Sequence, residues 1–251
     1  RYDFWYWQRG LSSMNTSDTR PLISVIMPVL NGADHIRNAI ESILKQTIDT
    51  FELIVIDDGS HDNTSDIVNE FAALDKRIRP LRQSNYGITY SLNLGLRLAR
   101  GQYIARQDAD DISLPNRFEV QLPWLEQHGF DMCCTRSMSL KHDRPIPRLF
   151  WLWLPRLTLL RYMNPHIHGT FLIRKDVLTS VGGYDPSFRF AQDYKLLYDL
   201  YASGKSIKYL KQPLYCTGFP EQSIKSAHGE EQRSCAQRVK NLFRDHSSTR
   251  M

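Results

Sequence analysis

The run Asp108-Ala109-Asp110-Asp111 puts three carboxylates into one short stretch. Like charges at that spacing repel, so a cation or a set of hydrogen-bond donors must offset them. Carboxylate oxygens suit hard divalent ions, Mn2+ or Mg2+, which commonly take one or two carboxylates and add substrate phosphates. A solvated acidic turn is the plain alternative. Arg106, just upstream, has two roles open to it: pairing with a phosphate or neutralising the acidic turn. A second acidic pair, Asp57-Asp58, precedes Gly59, Ser60 and Asp62. Alone it reads as ordinary Asp-Gly turn chemistry. On the same sheet edge as Asp108, it offers a carboxylate to a base N–H or a ribose hydroxyl.

The elements that must position these residues repeat along the chain. From Leu22 the run LISVIMP reads as a buried strand, Asn31 and Gly32 turn the chain, and Ile36, Ala39, Ile40, Ile43 and Leu44 recur at helical spacing. FELIVID over 51–57 is a second strand, followed by a helix with Ile67, Val68, Phe71 and Ala72 on one face. A strand over 78–82, a helix over 88–99 ended by Gly101, and a strand over 103–107 complete the regular part. Strands alternating with helices predict an α/β fold with a Rossmann-like, mostly parallel sheet flanked by helices, in a single domain. Ligands of such sheets bind beyond the carboxyl ends of the strands. Those ends carry Pro28 to Asn31, Asp57 to Ser60, and Asp108 to Asp111.

Beyond Pro115 the pattern predicts a helix with Phe118, Leu122 and Leu125, a short segment around Cys133, and strands over 168–173 and 206–210. A turn at Gly182-Gly183 and a helix over 194–201 lie between the two strands. The polar stretch 226–245 is expected to be a surface helix or partly disordered.

At 251 residues the chain suits one large domain with appendages. Its net charge of +5 fits a polyanionic ligand or an anionic membrane surface. Zinc-finger spacing, an aromatic RNA-binding strand motif and a regular basic helix are all missing from the sequence, which argues against nucleic acid as a partner. Cys133, Cys134, Cys216 and Cys235 form no CxxC pair, so they read as thiols in a reducing compartment and the expected location is cytoplasmic. No run reaches the roughly 18 to 20 apolar residues of a membrane span. The aromatic, aperiodic stretch 1–13 is left out of the fold argument. The Trp- and Leu-rich stretch 148–163, with Pro155 breaking any helix, is expected to pack in the core. Weak peripheral contact with the inner face of the cell membrane is its other reading.

The ordered set SVIMPVLN, ELIVIDDGSHDNT, SNYGITYSLNLGLRLARGQYIARQDADD, HGTFLIRKDVLTSVGGYD and AQDYKLL resembles the family 2 glycosyltransferases of the GT-A fold. The likeness runs from about Pro21 to Leu200, and five motifs in order are far more specific than any one. It implies an inverting transfer from a nucleotide diphosphate sugar, by default a UDP-sugar, to a glycan or glycolipid acceptor in bacterial surface polysaccharide or lipopolysaccharide assembly. It divides the chain into an extension over 1–20, a catalytic domain over 21–215 with its nucleotide half at 21–112 and acceptor half at 113–215, and a polar tail over 216–251.

Carried over by position, Pro28 and Asp58 contact the base, Asp57 supports the nucleoside pocket with Asn31 on the same edge, and Asn85 and Gly87 shape its wall. Asp110 ligates a divalent metal, Asp108 holds it indirectly or contacts the ribose, and His168 faces metal or phosphate. A lone histidine is more often structural. Asp193 matches the catalytic base, although Gln192 stands where many relatives have Glu; an N-cap for the following helix is its other role. The region between the DADD helix and His168 departs most from the family pattern, and acceptor choice is expected there. Two competing readings share much of this chemistry. A nucleotidyltransferase would want a Gly- and Lys/Arg-rich loop after the first strand, which PVLNGADHI lacks; a silent sugar-nucleotide binding module would not need Asp58, Asp110 and Asp193 intact.

Overall fold

Residues 20–147, 156–218 and 229–248 are described by the structure, a computed structural model. The first half alternates strictly: β1 (Ile23–Val29), α1 (Ile36–Leu44), β2 (Phe51–Asp57), α2 (Thr64–Leu74), β3 (Ile78–Arg82), α3 (Ile88–Leu98) and β4 (Tyr103–Arg106). The second half contains β5 (Ile112–Ser113), α4 (Arg117–Glu126), β6 (Met132–Ser139), β7 (Arg144–Ile146), α5 (Arg156–Leu160), β8 (Leu172–Arg174), α6 (Lys175–Ser180), α7 (Gln192–Ala202), β9 (Ile207–Thr217) and α8 (Gly229–Ser248).

All lie in or on one sheet of order β3-β2-β1-β4-β8-β6-β9-β5, with β7 on β6. Strands β3, β2, β1 and β4 run parallel. The second half adds β8 antiparallel to both β4 and β6, β9 parallel to β6, and β5 antiparallel to β9.

Side-chain alternation along the strands divides the core between two faces. Ile23, Val25 and Met27 of β1, with Leu53 and Val55 of β2, pack under α1, α2 and α4. Ile26, Ile54 and Ile56 face α3, α6, α7 and α8. The close approach of α3 to β1 needs Gly95, where an added Cβ would stand 2.5 Å from Ile26 Cγ2. At the amino end of the strands the buried Glu52 carboxylate accepts from Ser24 Oγ (2.6 Å), Arg79 Nη1 (2.6 Å), Arg100 Nε (2.9 Å) and the Arg100 N–H (2.7 Å), tying β1, β2, β3 and the α3–β4 turn together.

Since β1 leads to β2 and β3 on one side and β4 lies on its other side, the connections after β1 and β4 diverge and leave a crevice at their carboxyl ends. Ile26 is level with Arg106 in the register, so Asp108 emerges two residues on, beside Pro28.

Several expectations for the second half need correction. Residues 168–173 are not one strand. His168–Thr170 form a 3-10 turn and β8 starts at Leu172. Thr170 Oγ1 donates to Ile167 O at 2.7 Å to close that turn, and Gly169 lies so near Tyr215 that a Cβ would stand 2.2 Å from its hydroxyl. The last strand extends to Thr217, well past 210, because it pairs with β6 throughout and then with β5. The polar tail forms the helix expected of it, the twenty-residue α8, but not as a purely surface element: Val239 and Phe243 are buried, with Phe243 against Tyr194 and Tyr198 of α7. Of the segment 148–163, residues 148–155 lie outside the described set; within the rest, Leu159 and Leu160 are buried while Tyr162 and Met163 are exposed. Residues 1–19 also lie outside the described set. No helix among the described residues is long and apolar enough to cross a membrane. Cys133 and Cys134 are buried, and all four cysteines are free.

Candidate active site

The crevice is built from its walls inward. Asn31, at φ 52 in a left-handed conformation that asparagine tolerates, accepts the His61 N–H on Oδ1 at 2.9 Å and donates its own N–H to Ser60 Oγ at 2.9 Å. That exchange locks the loop after β1 to the loop after β2. Asp57 is buried and accepts the Ser60 N–H (2.8 Å) and the Ser65 hydroxyl. Burial would raise its pKa, but the Ser60 and Ser65 bonds and Arg82 outweigh it and hold the carboxyl below the usual range. Asp58 accepts Gln83 Nε2 (2.7 Å) and the Tyr86 N–H (3.0 Å) on Oδ1 and the Gly87 N–H (2.8 Å) on Oδ2. It therefore fixes the loop carrying the exposed Asn85, and Gly87 enters α3 at φ 91, which favours glycine. Pro28 is buried in β1 opposite Ile56.

The acidic turn leaves β4 above a buried polar floor that the sequence reading missed. Gln107 Nε2 donates to Asp108 O (3.0 Å) and Asp111 O (2.9 Å), spanning the turn from beneath. Its Oε1 accepts Ser113 Oγ (2.6 Å). Arg117, fully buried, donates to Gln121 Oε1, Ser113 Oγ, Arg106 O and Phe171 O at 2.9 to 3.1 Å, all neutral acceptors. Burial lowers its pKa to about 10, and it stays a cation under the acidic turn at neutral pH.

Arg106 is 3% exposed and turned inward: Nη2 meets Asp108 Oδ1 at 2.5 Å and Nη1 donates to Ile26 O at 3.2 Å. The Asp108 N–H donates to the buried Tyr215 hydroxyl at 3.1 Å. Asp111, also buried, accepts the Gly218 N–H at 2.5 Å. Gly218 comes so close that a Cβ would stand 2.0 Å from Asp110 O. Of the three carboxylates Asp110 is the most exposed, Asp108 is partly exposed and Asp111 is buried. Its pKa is nonetheless raised, first by the protein mass on its inner side and then by Asp108. Asp111 is raised further by burial, Asp108 and Asp110.

The opposite wall comes from the second half. Asp193 enters the first turn of α7 after Ala191, which sits in the left-handed region at φ 55. No side-chain cap bond marks that helix start. Asp193 Oδ2 accepts Asn164 Nδ2 at 2.7 Å. Its pKa is raised, chiefly by burial and further by Asp108, against backbone hydrogen bonds and Asn164. His168 Nε2 lies 2.9 Å from the Tyr184 hydroxyl, and burial plus the Arg106 charge keep the ring neutral. Tyr184 feels Arg106, Asp193 and Asp108 together.

Asp108, Arg106, His168, Tyr184 and Asp193 thus act electrostatically on one another across one space. Asp58, Asn85 and Gly87 form the adjoining wall. Asp108, Asp110 and His168 make no shared ligand cluster: groups of three or more metal-ligating side chains do not occur among the described residues. Two carboxylates with raised or partly offset charge, one of them open, still fit a hard divalent ion whose remaining ligands come from a diphosphate. Sequence reasoning missed Gln107, Arg117, Asn164, Tyr184 and Tyr215; the partners of Asn164, Tyr184 and Tyr215 lie far along the chain, and nothing in the sequence marks Gln107 and Arg117 as buried.

Comparison with known proteins gives the family and the fold. Residues 24–184 match the family described as glycosyl transferase family 2. An uncharacterized glycosyltransferase of Rickettsia prowazekii is 32% identical over 191 residues, covering 72% of this chain and 59% of that protein. Among solved structures, S. aureus TarS in complex with UDP-GlcNAc superposes with a TM-score of 0.71 at 20% identity, covering 88% of this chain and 66% of that one. A mannosyltransferase from Pyrobaculum calidifontis in complex with GDP-Man and Mn2+ gives a TM-score of 0.67 at 20% identity, covering 90% and 68%. These likenesses establish the GT-A fold. The chain spans only 59% of the length of the first two curated relatives it matches.

Proposed function

The chain belongs to glycosyl transferase family 2, and we propose that it is an enzyme catalysing an inverting transfer of a sugar from a nucleotide diphosphate sugar, by preference a UDP-sugar, to a hydroxyl of a glycan or glycolipid. Bacterial surface polysaccharide or lipopolysaccharide assembly is the proposed setting, on the cytoplasmic side. The observation that carries the reading is the pairing of two carboxylate walls across one crevice: the acidic turn after β4 on one side, and Asp193 on the other with its pKa raised by burial and by Asp108.

Residues 21–112 hold the nucleotide and residues 113–215 receive the acceptor. Asn31, Asp57 and Asp58 keep the nucleoside wall in place with Pro28, Asn85 and Gly87, and Arg106 holds Asp108 by its ion pair. Asp110 and Asp108 would hold Mn2+ or Mg2+, which supplies positive charge to offset the charge developing on the departing diphosphate. His168, neutral and bonded to Tyr184, faces the phosphate side as a donor or acceptor rather than as a cation.

On the acceptor side Asp193 takes the hydroxyl proton as the acceptor oxygen forms its bond to the anomeric carbon. The bond from that carbon to the diphosphate oxygen breaks in the same displacement, and the nucleoside diphosphate leaves with the electron pair. Attack opposite the leaving group inverts the anomeric centre.

Calorimetric titration with UDP, GDP, CDP and TDP, each with Mn2+ and with EDTA, tests the donor side. Metal-dependent binding of UDP above the others is expected. Binding of none, with or without acceptor glycan, would overturn the reading; binding with no transfer to any acceptor would favour the silent module.

A further inference from the structure

The Asp193 carboxylate meets a partner from a distant stretch of chain. Asn164 lies between α5 and the 3-10 turn, and its Nδ2 donates to Asp193 Oδ2 at 2.7 Å. Its own Oδ1 accepts the His166 N–H at 2.9 Å, closing an Asx turn. With the carbonyl oxygen committed to the backbone, the amide nitrogen has one direction left, toward Asp193. The amide orientation is therefore fixed by the local chain before Asp193 is considered.

We propose that Asn164 is the positioning residue of the catalytic base, holding Asp193 Oδ2 so that Oδ1 is presented to the acceptor hydroxyl. The proposal rests on the reading of Asp193 as that base.

A carboxylate free to rotate aims a lone pair at the acceptor only part of the time, and proton transfer needs an aligned approach. Pinning one oxygen with an uncharged donor fixes the other without pairing away the negative charge. The same bond favours the ionised form, as do the backbone donors at the start of α7. Burial and Asp108 push the other way. Tyr184, from the segment before α7, and Tyr194, on α7 itself, lie within electrostatic reach of this carboxylate, and burial keeps both phenols protonated. The left-handed Ala191 turns the chain so that Asp193 enters the helix at this spot.

Two substitutions in the full chain separate this role from simple turn-shaping. Asn164→Asp keeps the oxygen that accepts the His166 N–H, loses the N–H donor and sets a second carboxyl against Asp193. Asn164→Ala loses both bonds. A turn-shaping residue would tolerate Asn164→Asp and suffer from Asn164→Ala. A positioning residue loses about 100-fold in kcat in both variants, a loss typical of misplaced reacting groups, while UDP binding with Mn2+ stays at the wild-type level.

Infrared difference titration, wild type minus Asp193→Asn, reads the Asp193 carboxyl directly and needs no substrate. Its midpoint is expected to rise by about one unit in Asn164→Ala and further in Asn164→Asp. A wild-type midpoint in Asn164→Asp overturns the proposal. Asp193→Asn assayed alongside separates the two claims. If it keeps transfer, the base assignment falls; if it is inactive while Asn164→Asp retains wild-type kcat, only the positioning role falls.

Discussion

Asp193 and Asp110 both have carboxyl groups pushed above their ordinary range, and the crevice sets them on opposite walls. Their substitutions should therefore fail in different ways. Asp193→Asn is expected to leave nucleotide and metal binding intact while transfer falls by about 100- to 10,000-fold, the usual range for loss of a general base. Asp110→Ala should weaken Mn2+-dependent UDP binding itself, as seen by calorimetry, before any chemistry is measured. The raised pKa of Asp193 has a definite sign in the pH profile. The base works ionised, so kcat climbs with pH through the folded-state value, which lies above the 3.8 of a free aspartate. An acid limb centred at or below 3.8 would contradict the burial seen here. His168 contributes no limb near neutrality, because burial and Arg106 hold it neutral there.

At the scale of elements, β1 is the axis on which the crevice depends. Gly95→Ala would bring a methyl group to 2.5 Å from Ile26 Cγ2, forcing α3 away from β1. A loss of about 1–3 kcal/mol is expected from such overpacking and is measurable by urea unfolding. At the other end of the same strands, Glu52→Gln leaves Arg79 and Arg100 without their shared anion. Burial raises the Glu52 pKa, but Ser24, Arg100 and Arg79 outweigh it, so the folded value lies below 4.5. The contribution of the ionised group is complete above the unfolded pKa and disappears as pH falls through the folded one. The stability gap between wild type and Glu52→Gln should accordingly be about 1–3 kcal/mol at neutral pH and narrow as the pH falls through the folded pKa, which lies below 4.5.

These elements were legible in uneven measure. Strands buried on both faces, such as β2 with its apolar stretch Leu53 to Ile56, stand out by their apolar runs, and the helices between them show their period, so the alternating first half follows from pattern. Asp108 and Asp193 stood out by motif. Gln107, Arg117 and Asn164 did not, since polar residues look alike in sequence and only the fold reveals that two are buried under the acidic turn and one is aimed at Asp193. The segment over 168–173 misled for a similar reason: its apolar residues suit a strand, but the contact of Gly169 with Tyr215, from the far end of the chain, makes a turn there.

At the scale of the whole molecule, the C-terminal elements complete a site whose motifs lie far upstream. Truncation before Gly229 removes Val239 and Phe243 from α7 and uncovers Tyr194 and Tyr198 beside the base. Lower thermal stability and a lower kcat are expected, with UDP affinity changed less because the proposed nucleotide wall lies on the loops after β1, β2 and β4. The acidic turn itself is fastened from the end of β9, through Tyr215 to the Asp108 N–H, Gly218 to Asp111, and the pairing of Cys216 with Ile112. Those contacts span about a hundred residues of chain, and contacts of such long range form late because loop closure must come first. On the ribosome, the acidic turn will have been made long before the strand that shapes it leaves the exit tunnel. Nascent chains stalled so that residue 218 is still inside the tunnel should fold β1 to β4 yet fail to retain nucleotide with Mn2+, and the capacity should arise in one step once β9 emerges. Nucleotide retention by such stalled chains would thus report that β9 has emerged.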